Sequence, residues 1–140
     1  MDDWKIVSLY TTKEAVADGT LVRVADGQSK ECGIIYPVYM TRSVWEKYVE
    51  VPAALQNMQD LKGRLWDILW MFMLSAKKCT SSLLEFNFIC QIPDAGNWEP
   101  HERNSELNRQ FRSVKLKAVI TAQDFDDPSP AIFIMKPSED

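Results

Sequence analysis

Apolar residues dominate one stretch of the chain, which runs from Asp60 to Lys78. Between Leu65 and Leu74 only Asp67 is not apolar, and the apolar positions recur at intervals of three and four, which is typical of an α-helix. Asn57 and Asp60 are both candidate caps for the first turn of this helix. A helix that is apolar around most of its circumference has to be covered on most sides, so the pattern predicts a central core helix.

Beyond this helix the hydrophobic period changes from about 3.6 to 2. Apolar and polar residues alternate over Leu83 to Ile92 and again over Ser113 to Ala122, as they do in half-buried strands. Turn residues at Asp126 to Pro130 precede a third strand, predicted at Ala131 to Lys136. Three successive strands of this kind predict an antiparallel meander that packs its apolar face on the central helix.

Short elements with clear boundary signals make up the first half of the chain. Thr11 and Glu14 form a capping box that opens a helix over Thr12 to Asp18, and Gly19 follows its end. Other short elements are predicted from similar signals: strands at Lys5 to Tyr10 and Thr20 to Ala25, a turn at Asp26-Gly27, an edge strand or extended loop at Cys32 to Met40, and a helix opened by Ser43 and Glu46 that stops before Pro52. Helices thus precede the meander, which indicates a single α+β domain over residues 1–140.

The composition is that of an ordinary globular domain, with 46% hydrophobic and 26% charged residues. The net charge of −4 argues against binding to nucleic acid, because a basic surface is expected there. The longest apolar run covers about half of the ~20 residues that a membrane span requires. The first residues are acidic and no apolar signal segment follows them, so we expect a cytoplasmic protein with no membrane partner.

No catalytic or metal-binding constellation is recognisable in the sequence. Cys32, Cys79 and Cys90 lack paired spacing and are expected to be reduced thiols. His101 is the single histidine and there is no Cys-x-x-Cys motif, so we expect neither a metal nor another cofactor. The five glycines are isolated from one another, which excludes a phosphate-cradling loop. We therefore expect a protein that is not an enzyme.

Asp67 is a carboxylate inside an apolar run, and it has two interpretations. The functional interpretation is a group with a raised pKa or a buried anchor for a ligand's donors. The structural interpretation is a partner of Arg64 one turn earlier or a cap for a nearby backbone N–H. The second interpretation is favoured because an unpaired buried charge is expensive. Trp66 and Trp70 fall on the apolar faces of the predicted helix, so both are predicted to lie in the core.

The segment from Asp94 to Arg112 is long for a hairpin connection, and loops of this length tend to be functional. It is the predicted partner-facing element. Lys115 and Lys117 project from one face of the following strand, where they can meet phosphates or an acidic protein, although a solvated outer sheet face is the alternative. The candidate binding residues are Trp98, His101, Arg103, Arg109, Arg112, Lys115 and Lys117.

Several blocks of the sequence resemble a known family. They are Tyr10 to Val22, Tyr36 to Trp45, the Gly-Arg-Leu-Trp-Asp block within Gly63 to Met71, and the tail Pro130 to Pro137. In these blocks the chain resembles an uncharacterised domain-of-unknown-function family of small plasmid and bacteriophage proteins. The resemblance implies where such a gene resides, and it transfers no catalytic residue.

Two functions from different classes follow from these observations. The first is a mobile-element accessory protein that binds a host protein, for example a defence protein, and antagonises it. The second is sequestration of a nucleotide or another phosphorylated signal by the basic and aromatic residues around Arg109. An enzyme is the weakest interpretation, and the sequence leaves the oligomeric state open, a homo-oligomer included.

Overall fold

A computed structural model describes residues 11–50, 60–79, 81–91, 99–104, 111–124 and 127–139, with the backbone alone for Gln91, Arg103, Asn104 and Phe111. The chain is a small α+β domain, as the sequence predicts. Its helices are α1 (Thr12–Asp18), α2 (Asp26–Glu31), α3 (Arg42–Val44, continued by a π-helix over Trp45–Val49) and α4 (Leu61–Ala76). Its strands are β1 (Leu21–Arg23), β2 (Val38–Thr41), β3 (Leu83–Gln91), β4 (Glu102–Asn104), β5 (Phe111–Asp124) and β6 (Asp127–Met135).

The strands form one mixed sheet in the order β1-β2-β6-β5-β3. Only the pairing of β2 with β6 is parallel among these neighbours. The strands β3, β5 and β6 form the antiparallel meander that the alternation predicts. The short strand β4 pairs with Arg112–Val114 of β5. Since β3 occupies the other edge of β5 at those residues, β4 lies on the same edge of β5 as β6.

The hydrophobic core lies between α4 and one face of the sheet. Leu65, Ile68, Leu69 and Phe72 of α4 are buried, and Phe72 meets Phe86 of β3 edge to face, with ring centroids 5.9 Å apart. The buried strand residues of this core are Leu84, Phe86, Phe88, Cys90, Val114, Leu116, Ala118, Ile132 and Ile134. Each buried Val, Leu, Ile or Phe of this core contributes roughly 1.5–3 kcal/mol, so α4 is central to the fold.

The prediction that both tryptophans of α4 lie in the core is wrong. Trp66 is 38% exposed and Trp70 is 40% exposed. At 100° per residue these two positions lie on the side of the helix away from Ile68 and Phe72. The sheet covers one side of α4, so a helix that is apolar nearly all round keeps an apolar outer face. None of the helices in the described part of the chain is long and apolar enough to cross a membrane.

Local signals place α1 as the sequence predicts. Thr11 Oγ1 accepts a hydrogen bond from the Glu14 N–H at 3.0 Å, and Gly19 ends the helix in the left-handed region at φ +89°. The helix lies on the face of the sheet away from α4, where the Thr12 N–H donates to Asp124 Oδ1 at 2.7 Å. The predicted N-terminal strand at Lys5 to Tyr10 lies outside the described residues.

Two other local predictions need correction. Asp26 and Gly27 do not form a reverse turn between strands; they are the first two residues of helix α2. An aspartate near a helix N-terminus interacts favourably with the helix dipole, so the same residue type suits a helix start as well as a reverse turn. The strand at Val38–Thr41 is not an edge strand, since it pairs with both β1 and β6. Pro37 precedes this strand, so its missing N–H removes no hydrogen bond from the ladder.

The remaining differences concern where elements begin. Thr41 occupies the N-cap position of α3, two residues before the predicted cap, and Ser43 Oγ donates to Glu139 Oε1 at 2.9 Å instead. The π-helix ends at Val49, so the predicted stop before Pro52 is confirmed. The predicted turn before the last strand is wrong from Asp127 onward, because β6 begins there.

Candidate functional site

Charged side chains converge where the π-helix, β4 with the turn before it, β5 and the end of β6 meet. We call this group the ionic cluster, and its members are Lys47, Tyr48, Glu99, His101, Glu102, Arg112 and Lys136. The strand register explains part of it. Glu102 lies opposite Val114, which points into the core, and Arg112 points the same way because it precedes Val114 by two residues.

Glu102 is the centre of the ionic cluster. Its side chain is fully buried, with 0% exposure, and its Oε1 accepts a hydrogen bond from Arg112 Nη1 at 2.7 Å. Its Oε2 lies 2.7 Å from Lys47 Nζ and accepts the hydroxyl proton of Tyr48. Burial works to raise the pKa of Glu102, but the hydrogen bonds from Lys47, Tyr48 and Arg112 prevail and hold it below its ordinary value. The carboxylate is therefore ionised inside the protein.

Glu99 shares Lys47 with Glu102 and brings one further cation, Lys136, into the ionic cluster. Its carboxylate pairs with Lys47 through Oε2 and lies 3.1 Å from Lys136 Nζ through Oε1. Burial works to raise the pKa of Glu99, but the hydrogen bonds from Lys47 and Lys136 outweigh it and lower the pKa to about 2. The turn before β4 is thus attached both to the π-helix and to the end of β6.

Acid is expected to destabilise the protein through Glu99. Its pKa in the folded protein, about 2, lies below the ~4.5 of an unfolded chain. The unfolded state therefore binds the proton first, and stability that is complete above about pH 4.5 is lost as the pH falls towards 2. Urea unfolding at pH 6 and pH 3 measures this loss. In a Glu99→Gln variant the loss should be smaller, and an identical loss in both proteins would contradict the assignment.

The hydrogen bonds of Tyr48 define the tautomer of His101. The single hydroxyl proton of Tyr48 goes to the ionised Glu102, so His101 Nε2, 2.6 Å from the hydroxyl oxygen, has to be the donor in that contact. Burial lowers the pKa of His101 and raises that of Tyr48 above its ordinary range. The imidazole is therefore neutral near pH 7 and the phenol keeps its proton, so neither group is an activated nucleophile.

Three members of the ionic cluster are spaced closely enough to suggest a divalent cation site, since ligand atoms of Glu99, His101 and Glu102 lie within 4.8 Å of one another. Both carboxylates already bind cationic side chains, however: Lys47 contacts both of them, and Lys136 contacts Glu99. A metal ion would have to displace two ammonium groups from these oxygens. The donor set is therefore better matched to an internally neutralised network than to a metal centre.

The structure separates the candidate binding residues of the sequence. His101 and Arg112 belong to the ionic cluster, whereas Lys115 is exposed on the opposite face of β5. Lys117 shares that outer face and lies opposite Glu85 in the register, which supports the solvated-face alternative. Trp98, Arg109 and the side chain of Arg103 lie outside the described residues. Among the candidates that the structure describes, Lys115 and Lys117 therefore lie on a different face of β5 from Arg112.

The predicted partner-facing loop at Asp94 to Arg112 contains structure that sequence reasoning missed. Residues Glu102–Asn104 form β4, and Glu99 and Glu102 are core members of the ionic cluster. The alternation of β5 held one usable signal, since Arg112 has the same parity as Val114 and Leu116. No local signal connects Lys47 or Lys136 to this segment.

An open cavity of about 490 Å³ lies beside α1, on the face of the sheet away from α4. Basic side chains and an aromatic ring are among its lining residues. Arg23 lies over the ring of Tyr39, 5.4 Å from its centroid, and pairs with Asp26 at 2.8 Å. Lys13 and Arg23 are balanced by Asp124 and Asp127 among the lining residues. Because the charges balance, this cavity does not favour a phosphorylated ligand.

The outer face of α4 is the most distinctive exposed surface in the described part of the chain. Trp66 and Trp70 stack on each other, with ring centroids 5.7 Å apart and planes 9° from parallel. Leu74 is 38% exposed one turn further along, and Asp67 is exposed on the same side. We call Trp66, Asp67, Trp70 and Leu74 the indole face.

The two polar residues of α4 differ in role. Arg64 is buried and donates from Nη1 to the carbonyl oxygen of Glu50 at 3.0 Å, which ties α4 to the end of the π-helix. Asp67 is exposed, so it is not the buried ligand anchor of the first interpretation, although partial burial of its carboxyl raises its pKa. Arg64 is therefore structural, and Asp67 contributes to the surface.

The chain matches no protein-family model, no curated protein and no solved structure. The resemblance to plasmid and bacteriophage proteins therefore stays a prediction. What the chain does has to be argued from its own surfaces.

Proposed function

We propose that the chain is a non-enzymatic protein-binding module of a bacteriophage or another mobile element, and that it antagonises a host protein by docking on it. The observation that carries this proposal is the indole face. Two stacked tryptophans and a leucine stay partly in water on a helix whose other side is the centre of the core.

The chemistry of the indole face suits protein recognition. Tryptophan is among the residues that contribute most to binding energy at protein interfaces. The stacking of Trp66 on Trp70 holds both rings in one orientation before any partner arrives, so little side-chain freedom remains to be lost on binding. The helix beneath them is anchored by Ile68 and Phe72, which are 0% and 2% exposed. The face is therefore a rigid, preorganised surface.

The ionic cluster supports the non-enzymatic part of the proposal. Glu99 and Glu102 are saturated by Lys47, Lys136 and Arg112. Burial, and next the Glu102 carboxylate that it contacts, raise the pKa of Tyr48 and keep the phenol protonated. Groups whose charges are used up within the fold stabilise the fold, so the Glu99 and Glu102 carboxylates are not free bases and the Tyr48 phenol is not a nucleophile.

Removing the indoles is expected to abolish capture of the host protein. We would immobilise the protein and a Trp66→Ser/Trp70→Ser variant, expose both to lysate of the bacterial host, and quantify recovered proteins by mass spectrometry. A protein recovered by the wild type should fall at least about tenfold with the variant, the effect of losing contacts of roughly 1.4 kcal/mol or more.

A matched control is Lys115→Ala/Lys117→Ala, two changes on the outer face of β5, which should leave the recovery unchanged. Circular dichroism and thermal melting establish that each variant is folded. Equal recovery by the indole variant and the wild type would overturn the proposal, as would recovery of no protein in repeated experiments with the wild type.

A further inference from the structure

We infer that the segment of the host protein that contacts the indole face is basic, and that it places an arginine against Trp66 among the carboxylates of Glu31, Asp60 and Asp67. This inference rests on the proposed function and names the chemistry of the partner. It follows from the shape, the charge and the polarity of the surface along α4.

The shape is a cavity of about 330 Å³ between α2 and the first turn of α4, lined by Gln28, Glu31, Asp60, Lys62, Gly63 and Trp66. Asp60 caps α4 by accepting the Gly63 N–H at 2.6 Å. A Cβ at Gly63 would lie 2.8 Å from that same carboxylate oxygen, so a larger residue there would require the Asp60 side chain to shift. The missing side chain leaves room beside Trp66, which lies three residues further along the same face.

The charge around this cavity is negative. Glu31 and Asp60 line it, Asp67 follows Trp66 on the exposed side of α4, and Lys62 is the one cation among the described lining residues. The whole chain carries a net charge of −4, so its longer-range field also attracts cations. An indole ring beside several carboxylates is a site that a guanidinium group fits, because it stacks on the ring and bonds carboxylates at its edge.

The charge changes along α4, and this change predicts the orientation in which a partner segment would bind. The acidic end of α4 carries Trp66, the middle carries Trp70 and Leu74, and Lys77 and Lys78 follow the end of the helix. A complementary segment has basic residues at one end and apolar residues beyond them. Clustered basic side chains are typical of proteins that bind nucleic acid, and an acidic module that covers such a cluster competes with that nucleic acid.

The probe for this inference is a helical peptide with leucines spaced four apart and two arginines one turn before them. A second peptide has citrulline, a neutral isostere, in place of both arginines. Binding is followed by tryptophan fluorescence of the folded protein at low salt and again at a threefold higher salt concentration. We expect the arginine peptide to bind about tenfold more tightly than the citrulline peptide, and to lose affinity as salt is added.

The carboxylates are tested by Glu31→Gln/Asp67→Asn. This variant should bind the arginine peptide about tenfold more weakly than the wild type. The control Glu14→Gln/Glu85→Gln removes the same charge from exposed positions on the other side of the sheet, and it should bind as the wild type does. Equal binding of the two peptides, or equal weakening by the control variant, would overturn the inference.

The same variants separate this inference from the proposed function. The carboxylate variant Glu31→Gln/Asp67→Asn could still capture the host protein at the wild-type level while the indole variant Trp66→Ser/Trp70→Ser does not. That result would overturn the inference and leave the proposed function standing. Light scattering after size-exclusion chromatography tests whether a second copy of the chain occupies the indole face instead. A wild-type dimer that the indole variant converts to a monomer would assign the face to a second copy of the chain and overturn both proposals.

Discussion

Replacing Glu102 by glutamine is expected to lower the free energy of unfolding by about 3–5 kcal/mol. The variant keeps the shape of the side chain but removes the charge that faces Arg112, whose side chain is 1% exposed. Lys47 loses one of its two carboxylate partners at the same time. A buried cation whose anion is removed carries its desolvation cost without compensation, so the loss exceeds that of a surface pair.

Urea unfolding at pH 7, followed by circular dichroism, measures this effect. Glu85→Gln serves as the control, because it makes the same chemical change at an exposed position on β3 and should stay within about 0.5 kcal/mol of the wild type. A loss below about 1 kcal/mol in Glu102→Gln would show that the ionic cluster is not a desolvated network. In that case its groups would again be candidates for chemistry.

Replacing Phe72 by alanine is expected to cost about 3–5 kcal/mol of stability. Phe72 is 2% exposed and packs edge to face on Phe86, so truncation leaves a cavity between α4 and the sheet. Trp70→Ala removes a larger side chain from the same helix. It should cost no more than about half as much, because 40% of that residue already lies in water.

Thermal and urea unfolding of the two variants test the division of α4 into a core side and a binding side. The expected order places Phe72→Ala lowest in stability, with Trp70→Ala between it and the wild type. The reverse order would mean that the tryptophans are structural, and the indole face would then lose its claim to be a binding surface.

The ionic cluster was beyond the reach of sequence reasoning for a physical reason. Nearly forty residues or more separate neighbouring members of the set Lys47, Glu99 and Lys136 along the chain. They meet only because the π-helix, the turn before β4 and the end of β6 converge. A charged residue is predicted to be exposed to solvent unless the sequence also identifies the residues that would pair with it. Only the parity of Arg112 within β5 hinted that one basic side chain points inward.

Features whose causes lie within a few residues could be predicted from the sequence. The cap at Thr11, the left-handed Gly19, the cap at Asp60 and the period-two alternation of β3 and β5 are set by local hydrogen bonds and side-chain geometry. The existence of α4 and its partnership with a meander follow from the same patterns. These determine the α+β class.

Tertiary structure alone decided which side of α4 stays in water and how the strands are ordered. An apolar helix pattern specifies how much surface has to be buried, but not how many neighbours exist to bury it. One sheet covers the Phe72 side of α4, and Trp66 and Trp70 are left outside. Such outcomes depend on contacts between residues far apart in sequence, where geometry rather than local preference selects the partners.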